Sequence, residues 1–297
     1  MSKIIVIVGP TGVGKTKLSI ELAKNYNAEI INGDSIQIYK ELDIGSAKVT
    51  ENEKENIPHH LFDIQEVTKD YSVYDYQKDC RQKIKEIQNK GKNVIIVGGT
   101  GLYIKAALYD YKFEKEEKNI NDYEGFSNDE LYELLLKKYP NTDIHKNNRK
   151  RVIRALNKTN KTVITDKLLY DVIFIGLTTN RENLYNIINS RVDKMIDNGL
   201  LEEVKNLYDR NIKSKAIMTG IGYKELYKYF DKEITLEEAK ELIKRNSRRY
   251  AKRQYTFFNH QLKINWINVD YTNFTNTIDE VKKIINSNWL YSVSVIK

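Results

Sequence analysis

The feature that most constrains the fold is a glycine-rich loop near the start of the chain. Residues 3–8 form an apolar run typical of a buried strand, and residues 14–26 have the apolar period of a helix. The loop between them, Gly9-Pro10-Thr11-Gly12-Val13-Gly14-Lys15-Thr16, has the spacing G-x-x-x-x-G-K-[ST]. Its glycines let backbone N–H groups turn inward around a phosphate, and the helix N-terminus adds a positive dipole end. The sequence therefore predicts a polyphosphate site, in which Lys15 supplies a charge and the Thr16 hydroxyl can hold Mg²⁺.

The alternation of strand and helix patterns predicts an α/β fold. We expect a P-loop NTPase-like core with a mostly parallel sheet flanked by helices, and a small helical insertion domain. Further strands are predicted at 28–32, 93–97, 171–177 and 264–269. Helices are predicted at 73–89, 101–108, 181–197, 200–209, 222–230, 235–258 and 276–287.

The pattern changes in the middle of the chain, and this change predicts the domain organisation. A charged stretch at 112–124 is followed by helical patterns at 129–139 and 148–158, after which the strand pattern returns. We therefore predict a first part of the core at 1–111, a helical insertion at 112–170, and a second part of the core with a helical C-terminal region at 171–297.

Two residues that follow strands are candidates for chemistry. Asp34 follows the strand at 28–32, where ligands bind in open α/β sheets, so it is a candidate general base or substrate-orienting group. The alternative is a turn or N-cap aspartate. The strand at 93–97 runs into Gly98-Gly99-Thr100 without the aspartate that kinases and ATPases use for Mg²⁺, which weakens simple NTP hydrolysis. Thr100 suits a second phosphate or substrate contact, or a turn that needs small residues.

Charge and composition narrow the class of protein. The net charge of +8 indicates a polyanionic partner or ordinary solubility charge. The single cysteine, Cys80, excludes an internal disulfide and fits a reducing compartment. The N-terminus has no signal-peptide pattern, and no apolar run approaches about 18 residues. A cytoplasmic protein that does not span a membrane is expected.

Two basic stretches indicate a nucleic acid. Lys150, Arg151 and Arg154 lie in the insertion, where Val152 and Ile153 can face inward. The second stretch lies on the long helix at 235–258 and comprises Lys244, Arg245, Arg248, Arg249, Lys252 and Arg253. One such helix face is usually only solvated. Two of them in a basic chain with a phosphate site favour contact with an RNA or DNA backbone.

The motifs together resemble those of the bacterial tRNA dimethylallyltransferase (tRNA isopentenyltransferase) family. The resemblance covers residues 3–258 and is far more specific than the P-loop alone. Besides the P-loop, its motifs in chain order are Asp34-Ser35-Ile36-Gln37-Ile38-Tyr39-Lys40, Asp43-Ile44-Gly45-Ser46-Ala47-Lys48, Pro58-His59-His60-Leu61, Tyr71-Ser72-Val73, Val97-Gly98-Gly99-Thr100-Gly101-Leu102-Tyr103, Arg151-Val152-Ile153-Arg154-Ala155-Leu156, Gly220-Ile221-Gly222-Tyr223-Lys224-Glu225 and Ala251-Lys252-Arg253-Gln254.

The resemblance implies a reaction and roles for these residues. The family transfers a dimethylallyl group from dimethylallyl diphosphate to the N6 amine of the adenosine immediately 3′ of the anticodon. Its substrates are tRNAs that read codons starting with U, diphosphate is released, and Mg²⁺ is required. By this resemblance Asp34 is the general base and Thr100 assists at the reacting centre. Thr16 holds the metal, and the insertion clamps the anticodon stem-loop.

The remaining implied contacts are with the two substrates. Diphosphate would be held by Gly9, Pro10, Thr11, Gly12, Val13, Gly14, Lys15 and Thr16. The tRNA would contact Asp34, Ser35, Ile36, Gln37, Lys150, Arg151, Val152, Ile153, Arg154, Arg249, Lys252, Arg253 and Gln254. A monomer is expected.

Three other functions remain open from the sequence. A small-molecule P-loop kinase would use Asp34 to bind the acceptor, but the two basic helices would have no role in it. An adenylate isopentenyltransferase would use the same donor with a free nucleotide, and the basic helices would again have no purpose. A non-catalytic RNA-binding protein would not need Lys15, Thr16, Asp34 and Thr100 intact.

Overall fold

The computed structural model of the chain describes residues 2–113, 123–157 and 167–294. Within these residues six strands form one parallel sheet in the order β3-β2-β4-β1-β5-β6. The strands are β1 Ile4–Val8, β2 Ala28–Asn32, β3 His59–His60, β4 Asn93–Val97, β5 Val172–Thr178 and β6 Asn265–Asn268. This arrangement confirms the predicted α/β class and the parallel core.

Helices connect the strands and continue beyond β5. In the described part of the chain they are α1 Lys15–Asn25, α2 Glu51–Lys54, α3 Val73–Asn89, α4 Gly101–Leu108, α5 Asn128–Lys138, α6 Arg149–Leu156, α7 Arg181–Asp197, α8 Leu200–Asp209, α9 Lys215–Thr219, α10 Tyr223–Phe230, α11 Leu236–Gln261 and α12 Phe274–Ser294. Residue 158, the end of a predicted helix, and residues 114–122 of the predicted charged stretch lie outside the described residues.

Both faces of the sheet are buried, which explains why its strands are apolar without alternation. All five residues of β1 are buried. Ile4, Val6 and Val8 belong to one hydrophobic cluster. Ile5 and Ile7 belong to a second cluster. Successive side chains of a strand point to opposite faces, so each cluster occupies one face of the sheet under its own layer of helices.

Three short elements were absent from the sequence-based expectation. The strand β3 pairs with β2 at Ile30–His59 and Ile31–His60, although its own residues are two histidines. The four-residue helix α2 begins with a capping box formed by Thr50 and Glu53. The third element is the five-residue helix α9. All three are too short to show an apolar period. The strand β3 forms because it pairs with the edge of β2.

The chain divides into two compact units. One comprises Met1–Tyr109 and Lys167–Lys297, and the other comprises Asp110–Asp166. The second unit has a small core of its own, made by Leu131, Leu135, Val152 and Leu156. The domain boundaries that we predicted from the sequence, at 111 and 170, stay a prediction.

The Glu29 carboxylate, near the start of β2, is the centre of a buried ionic cluster. It lies 2.8 Å from Lys92 Nζ, 3.2 Å from Lys90 Nζ and 2.7 Å from His60 Nε2. Burial alone would raise the pKa of Glu29, but the hydrogen bonds from Lys92, His60 and Lys90 lower it from 4.5 to about 2. The carboxylate therefore stays charged and joins β2 to β3 and β4.

We expect Glu29→Gln to lower the free energy of unfolding by about 2 kcal/mol at neutral pH, because Lys92, Lys90 and His60 lose the carboxylate that they bind. A group whose pKa is lower when folded stabilises the protein above its unfolded pKa, here 4.5. That contribution disappears as the pH falls from about 5 to about 2. Urea unfolding of both proteins across this range measures the difference. The control Glu86→Gln, at a partly exposed pair with Lys83, should change little. A pH-independent difference for Glu29→Gln contradicts the prediction.

Candidate active site

The P-loop has the conformation that its glycines predict. Gly12 and Gly14 have φ angles of +89° and +91°, which residues other than glycine rarely adopt. A Cβ on Gly14 would lie 2.7 Å from the ring of Phe274, so the start of α12 packs directly against the loop. Gly14 is the N-cap of α1, and the Lys15 ammonium donates to the Pro10 carbonyl at 2.7 Å. The loop and the N-terminus of α1 thus form one cationic cradle.

Asp34 is fixed in a tight turn after β2. Its N–H donates to Asn32 Oδ1 at 2.8 Å, and its own Oδ1 accepts from the Ile36 N–H at 2.9 Å. Asn32 Nδ2 also donates to the Asp34 carbonyl at 2.9 Å. These bonds hold the carboxylate in one orientation at the C-terminal end of the sheet. The turn explains why an aspartate suits this position. Asp34 also lines the cavity described below.

Thr100 lies beside this turn because two loops pack without side chains between them. A Cβ on Gly98 would lie 2.1 Å from the carbonyl carbon of Gly33, so the chains after β2 and β4 are in direct contact. Thr100 Oγ1 accepts from the Ser35 N–H at 3.0 Å and donates to Ser35 Oγ at 3.2 Å. Thr100 and Asp34, which were predicted separately from the sequence, therefore lie close together.

Arg191, on α7, is a candidate that the sequence reasoning missed. It lines the same cavity as Asp34 and Thr11, and its Nε is buried without a hydrogen-bond partner among the described residues. A buried guanidinium N–H without an acceptor is costly, and it is typical of a site that binds an anion. The sequence signal was weak, because Arg191 lies at the edge of the apolar period formed by Leu184, Ile188 and Val192.

A cavity of about 250 Å³ within the first unit joins Asp34 and Arg191 to Thr11 of the P-loop. Its polar lining includes Thr11, Asp34 and Arg191. Its apolar lining is formed by Ile36, Ile188, Val192, Met195, Ile221 and Ile243. One cavity thus offers both charged groups and a surface for a small apolar group.

The charges in the site shift one another's protonation. Burial, and to a smaller degree the charge of Arg191, lowers the pKa of Lys15 to about 7, while Asp34 opposes this shift. Burial raises the pKa of Asp34, against the hydrogen bonds from the Ile36 and Gln37 N–H groups and the charges of Lys15 and Arg191. Burial likewise lowers the pKa of Arg191. Two cations and one carboxylate face each other here, so an added anion would relieve the repulsion between the cations.

The basic residues of α11 are divided between structural and exposed positions. Lys244 is bound to Asp193 at 2.8 Å, and Arg248 donates to Asn189 at 2.6 Å. Arg249 and Lys252 are exposed, and Arg253 lies over the Tyr250 ring at 5.6 Å. Of the tRNA contacts that the resemblance implied, Gln254 alone on this helix is buried, at 5% exposure.

The basic residues of α6 divide in the same way. Lys150, Arg151 and Arg154 are exposed. Arg149 instead donates to the carbonyls of Tyr123 and Phe126, both at 2.7 Å. Val152 is buried in the core of its unit and Ile153 is half-buried. Because it is buried, Val152 can support a tRNA contact only by shaping the helix.

The described residues contain no group of three or more His, Cys, Asp or Glu side chains that could hold a metal ion. The exposed Thr16 side chain, at the start of α1, offers a suitable oxygen. No helix in the part of the chain that the structure covers is long and apolar enough to cross a membrane.

Comparison with known proteins identifies the family. The profile described as IPP transferase matches residues 37–261. The chain belongs to the IPP transferase family. It is therefore a prenyltransferase, and the resemblance found in its motifs is confirmed. Membership favours a transferase over the kinase and the non-catalytic RNA-binding protein.

Related sequences of this family cover nearly the whole chain. The tRNA dimethylallyltransferase of Anoxybacillus flavithermus is 50% identical over 294 residues, which are 94% of each chain. That of Bacillus subtilis is 49% identical over 286 residues, or 90% of each chain.

Solved structures in the family share the fold. The tRNA isopentenylpyrophosphate transferase of Bacillus halodurans superposes with a TM-score of 0.80, at 39% identity over 99% of both chains. A eukaryotic dimethylallyltransferase acting on tRNA superposes with a TM-score of 0.79, at 30% identity over 98% of this chain and 80% of that one. The IPP transferase fold of this chain thus extends well beyond the P-loop.

Proposed function

We propose that this IPP transferase moves a dimethylallyl group from dimethylallyl diphosphate to the N6 amine of the adenosine immediately 3′ of the anticodon. The substrates are tRNAs that read codons starting with U, and diphosphate is released. One observation carries the proposal: a single cavity joins the Asp34 carboxylate, the Arg191 guanidinium and an apolar wall. A carboxylate suits an amine that must lose a proton, cations suit a departing diphosphate, and the wall suits a five-carbon group.

The leaving group accounts for the cationic end of the site. Negative charge grows on the diphosphate as the allylic C–O bond breaks. The P-loop N–H groups, Lys15 and Arg191 are proposed to bind that charge, and donors fixed in advance lower the barrier to its development. The missing aspartate after β4 is consistent with this role, because no phosphoryl group moves and no water is activated. Gly9 to Thr16 form the proposed diphosphate site.

The nucleophile accounts for Asp34. The N6 amine is weak because its lone pair is delocalised into the ring, so it must lose a proton as the C–N bond forms. A positioned base contributes typically 10²- to 10⁴-fold to such a step. Asp34 is the proposed base, and Thr100, bonded to Ser35 beside it, is proposed to assist at the reacting centre.

Mg²⁺ is the proposed cofactor, and Thr16 its proposed protein ligand. When bound, the ion would neutralise part of the diphosphate charge.

Contacts with the tRNA backbone are proposed to supply the energy that moves the target base out of the anticodon stack. Unstacking costs a few kcal/mol, and electrostatic contacts with phosphates elsewhere can offset it. Each unit presents exposed basic residues for an anticodon stem-loop. The proposed contacts are Ser35, Ile36, Gln37, Lys150, Arg151, Ile153, Arg154, Arg249, Lys252, Arg253 and Gln254, with Val152 in support.

We also propose that the enzyme acts as a monomer in the cytoplasm. Asp34, Arg191 and the apolar wall, on which the proposed reaction depends, line one cavity of one chain. Cys80 is a buried free thiol, which suits a reducing compartment.

The experiment that tests the function uses radiolabelled dimethylallyl diphosphate with unmodified tRNA, AMP or ATP as the acceptor. Label in tRNA at the adenosine 3′ of the anticodon, located by nuclease digestion and mass spectrometry, is the expected result. Label in the free nucleotide alone would indicate an adenylate isopentenyltransferase instead. Phosphoryl transfer from ATP to a panel of small acceptors would overturn the proposal.

Removing two charges from α6 should weaken tRNA binding without changing the chemistry. We expect Arg151→Ala with Arg154→Ala to raise the Kd for tRNA about tenfold. The number of phosphate contacts that the salt dependence of Kd reports should fall by up to about two. The matched control is Lys137→Ala with Lys146→Ala, which removes the same charge from the same unit. Filter binding at several salt concentrations measures both. Equal effects of the two pairs would contradict a specific contact by α6.

A further inference from the structure

Gln254 presents a buried oxygen that the described residues leave without a hydrogen-bond donor. The side chain, on α11, is 5% exposed and lines the same cavity as Asp34. Its Nε2 donates to the Gly99 carbonyl at 2.9 Å, whereas its Oε1 has no partner among the described residues. A buried acceptor that stays unpaired is costly. This pattern is typical of a group that meets its donor on a ligand.

The orientation of the amide follows from its neighbour. A carbonyl oxygen can only accept, so the Gly99 carbonyl must face the NH₂ end of the Gln254 amide. The Tyr250 hydroxyl also donates to this carbonyl, at 3.5 Å. Two donors thus hold the Gly99 carbonyl, and the Gln254 amide cannot turn over without losing its bond. Oε1 is therefore the end left for a ligand.

Gln254 and Asp34 approach the same residue. A Cβ placed on Gly99 would lie 2.2 Å from Gln254 Nε2 and 3.7 Å from Asp34 Oδ2. The amide and the carboxylate therefore flank one glycine at the end of β4. The cavity offers two acceptor groups close together, one charged and one neutral.

We propose that Gln254 is a specificity-determining residue that selects a base with an exocyclic amine. This inference rests on the proposed function. An amine has two N–H groups, and the reaction consumes one. The bond between N6 and the allylic carbon forms while the carbon–oxygen bond to diphosphate breaks, and the electron pair of that bond leaves with the diphosphate. One N6 proton passes to Asp34, and the other stays on N6 and donates to Gln254 Oε1.

The arrangement predicts how the site treats a base with a ring carbonyl. Inosine carries an oxygen where adenosine carries the amine. That oxygen would face two acceptors, and neither could pair with it, so a site built for an N–H rejects it. The Gln254 amide adds to this rejection independently of the proton transfer to Asp34.

The test compares stem-loop RNAs that carry adenosine or inosine at the target position, bound in the presence of inorganic diphosphate. Wild type should bind inosine at least about tenfold more weakly than adenosine. Gln254→Met removes the acceptor and should lower kcat/KM for adenosine by about 10- to 100-fold. It should also reduce the preference for adenosine, measured as the affinity for the adenosine RNA divided by that for the inosine RNA, to about one third of the wild-type value or less. Gln254→Lys keeps a donor for Gly99 but offers no acceptor, and it should reduce the ratio further.

The affinity ratio separates this role from a structural one. Both affinities come from one preparation, so the folded fraction cancels. Tyr250→Phe is the matched control, because it removes the other donor to the Gly99 carbonyl and leaves Oε1 in place. Its ratio should equal that of wild type. Ratios that stay at the wild-type value in Gln254→Met and Gln254→Lys, even with lower kcat/KM, would overturn the inference and leave Gln254 as an anchor of Gly99. If wild type fails to prenylate the adenosine stem-loop at all, the proposed function fails first.

Discussion

Replacing Asp34 by asparagine is expected to lower kcat by about 10²- to 10⁴-fold while the Kd for tRNA changes by less than about twofold. Asparagine has nearly the same shape, and its Oδ1 can still accept the Ile36 N–H that Asp34 accepts at 2.9 Å. The turn after β2 therefore remains. What disappears is the group that takes a proton from the amine. The prediction thus separates the chemical role of Asp34 from its role in the turn.

Single-turnover assays with saturating enzyme would measure the chemical step directly, and filter binding would measure the Kd. Asp209→Asn, at an exposed aspartate paired with Lys205, is the matched control and should behave as wild type. Because burial raises the pKa of Asp34, the wild-type rate should also fall in acid as the carboxylate is protonated. An Asp34→Asn rate within tenfold of wild type would rule out the proposed base.

The sequence was sufficient where a local pattern determines a local structure. The run at residues 3–8, the P-loop and the helix after it form one continuous signal, and the structure has β1, the loop and α1 in those places. Asp34 was placed near the P-loop because strands β1 and β2 are parallel and end at the same edge of the sheet. Neither inference needed knowledge of any contact between distant residues.

Sequence reasoning was insufficient where a residue owes its role to contacts between distant segments. Arg191 is an ordinary arginine at the edge of a helix period until α7 places it beside Asp34 and Lys15, whose pKa it shifts. The resemblance implied a tRNA contact for Gln254, but only the structure shows that this side chain is buried and that its amide is fixed by the Gly99 carbonyl 155 residues away in sequence. None of these contacts has a periodic or compositional signal.

Replacing Lys15 by methionine is expected to lower kcat/KM for dimethylallyl diphosphate by about 10²- to 10³-fold, the usual loss when one fixed donor to a developing anion is removed. Methionine has similar length and packs where the alkyl chain lies, but it offers no charge and no N–H. The Kd for tRNA should stay close to the wild-type value, because Lys15 lies within the P-loop cradle. Lys17→Met, at the exposed neighbouring lysine, is the matched control and should lose much less.

The pH dependence of kcat/KM gives a sharper form of the same prediction. The pKa of Lys15 in the free enzyme is lowered to about 7 by burial and by Arg191. Only the charged form favours the diphosphate, so kcat/KM should fall as the pH rises through about 7. In Lys15→Arg the charge persists at every pH tested, and the alkaline fall should vanish. In Arg191→Met one cause of the lowered pKa is absent, so the fall should move to higher pH even though the rate is lower. Wild-type activity that stays flat between pH 6 and 9, about one unit below and two units above that pKa, would show that Lys15 is not the group that binds the leaving diphosphate.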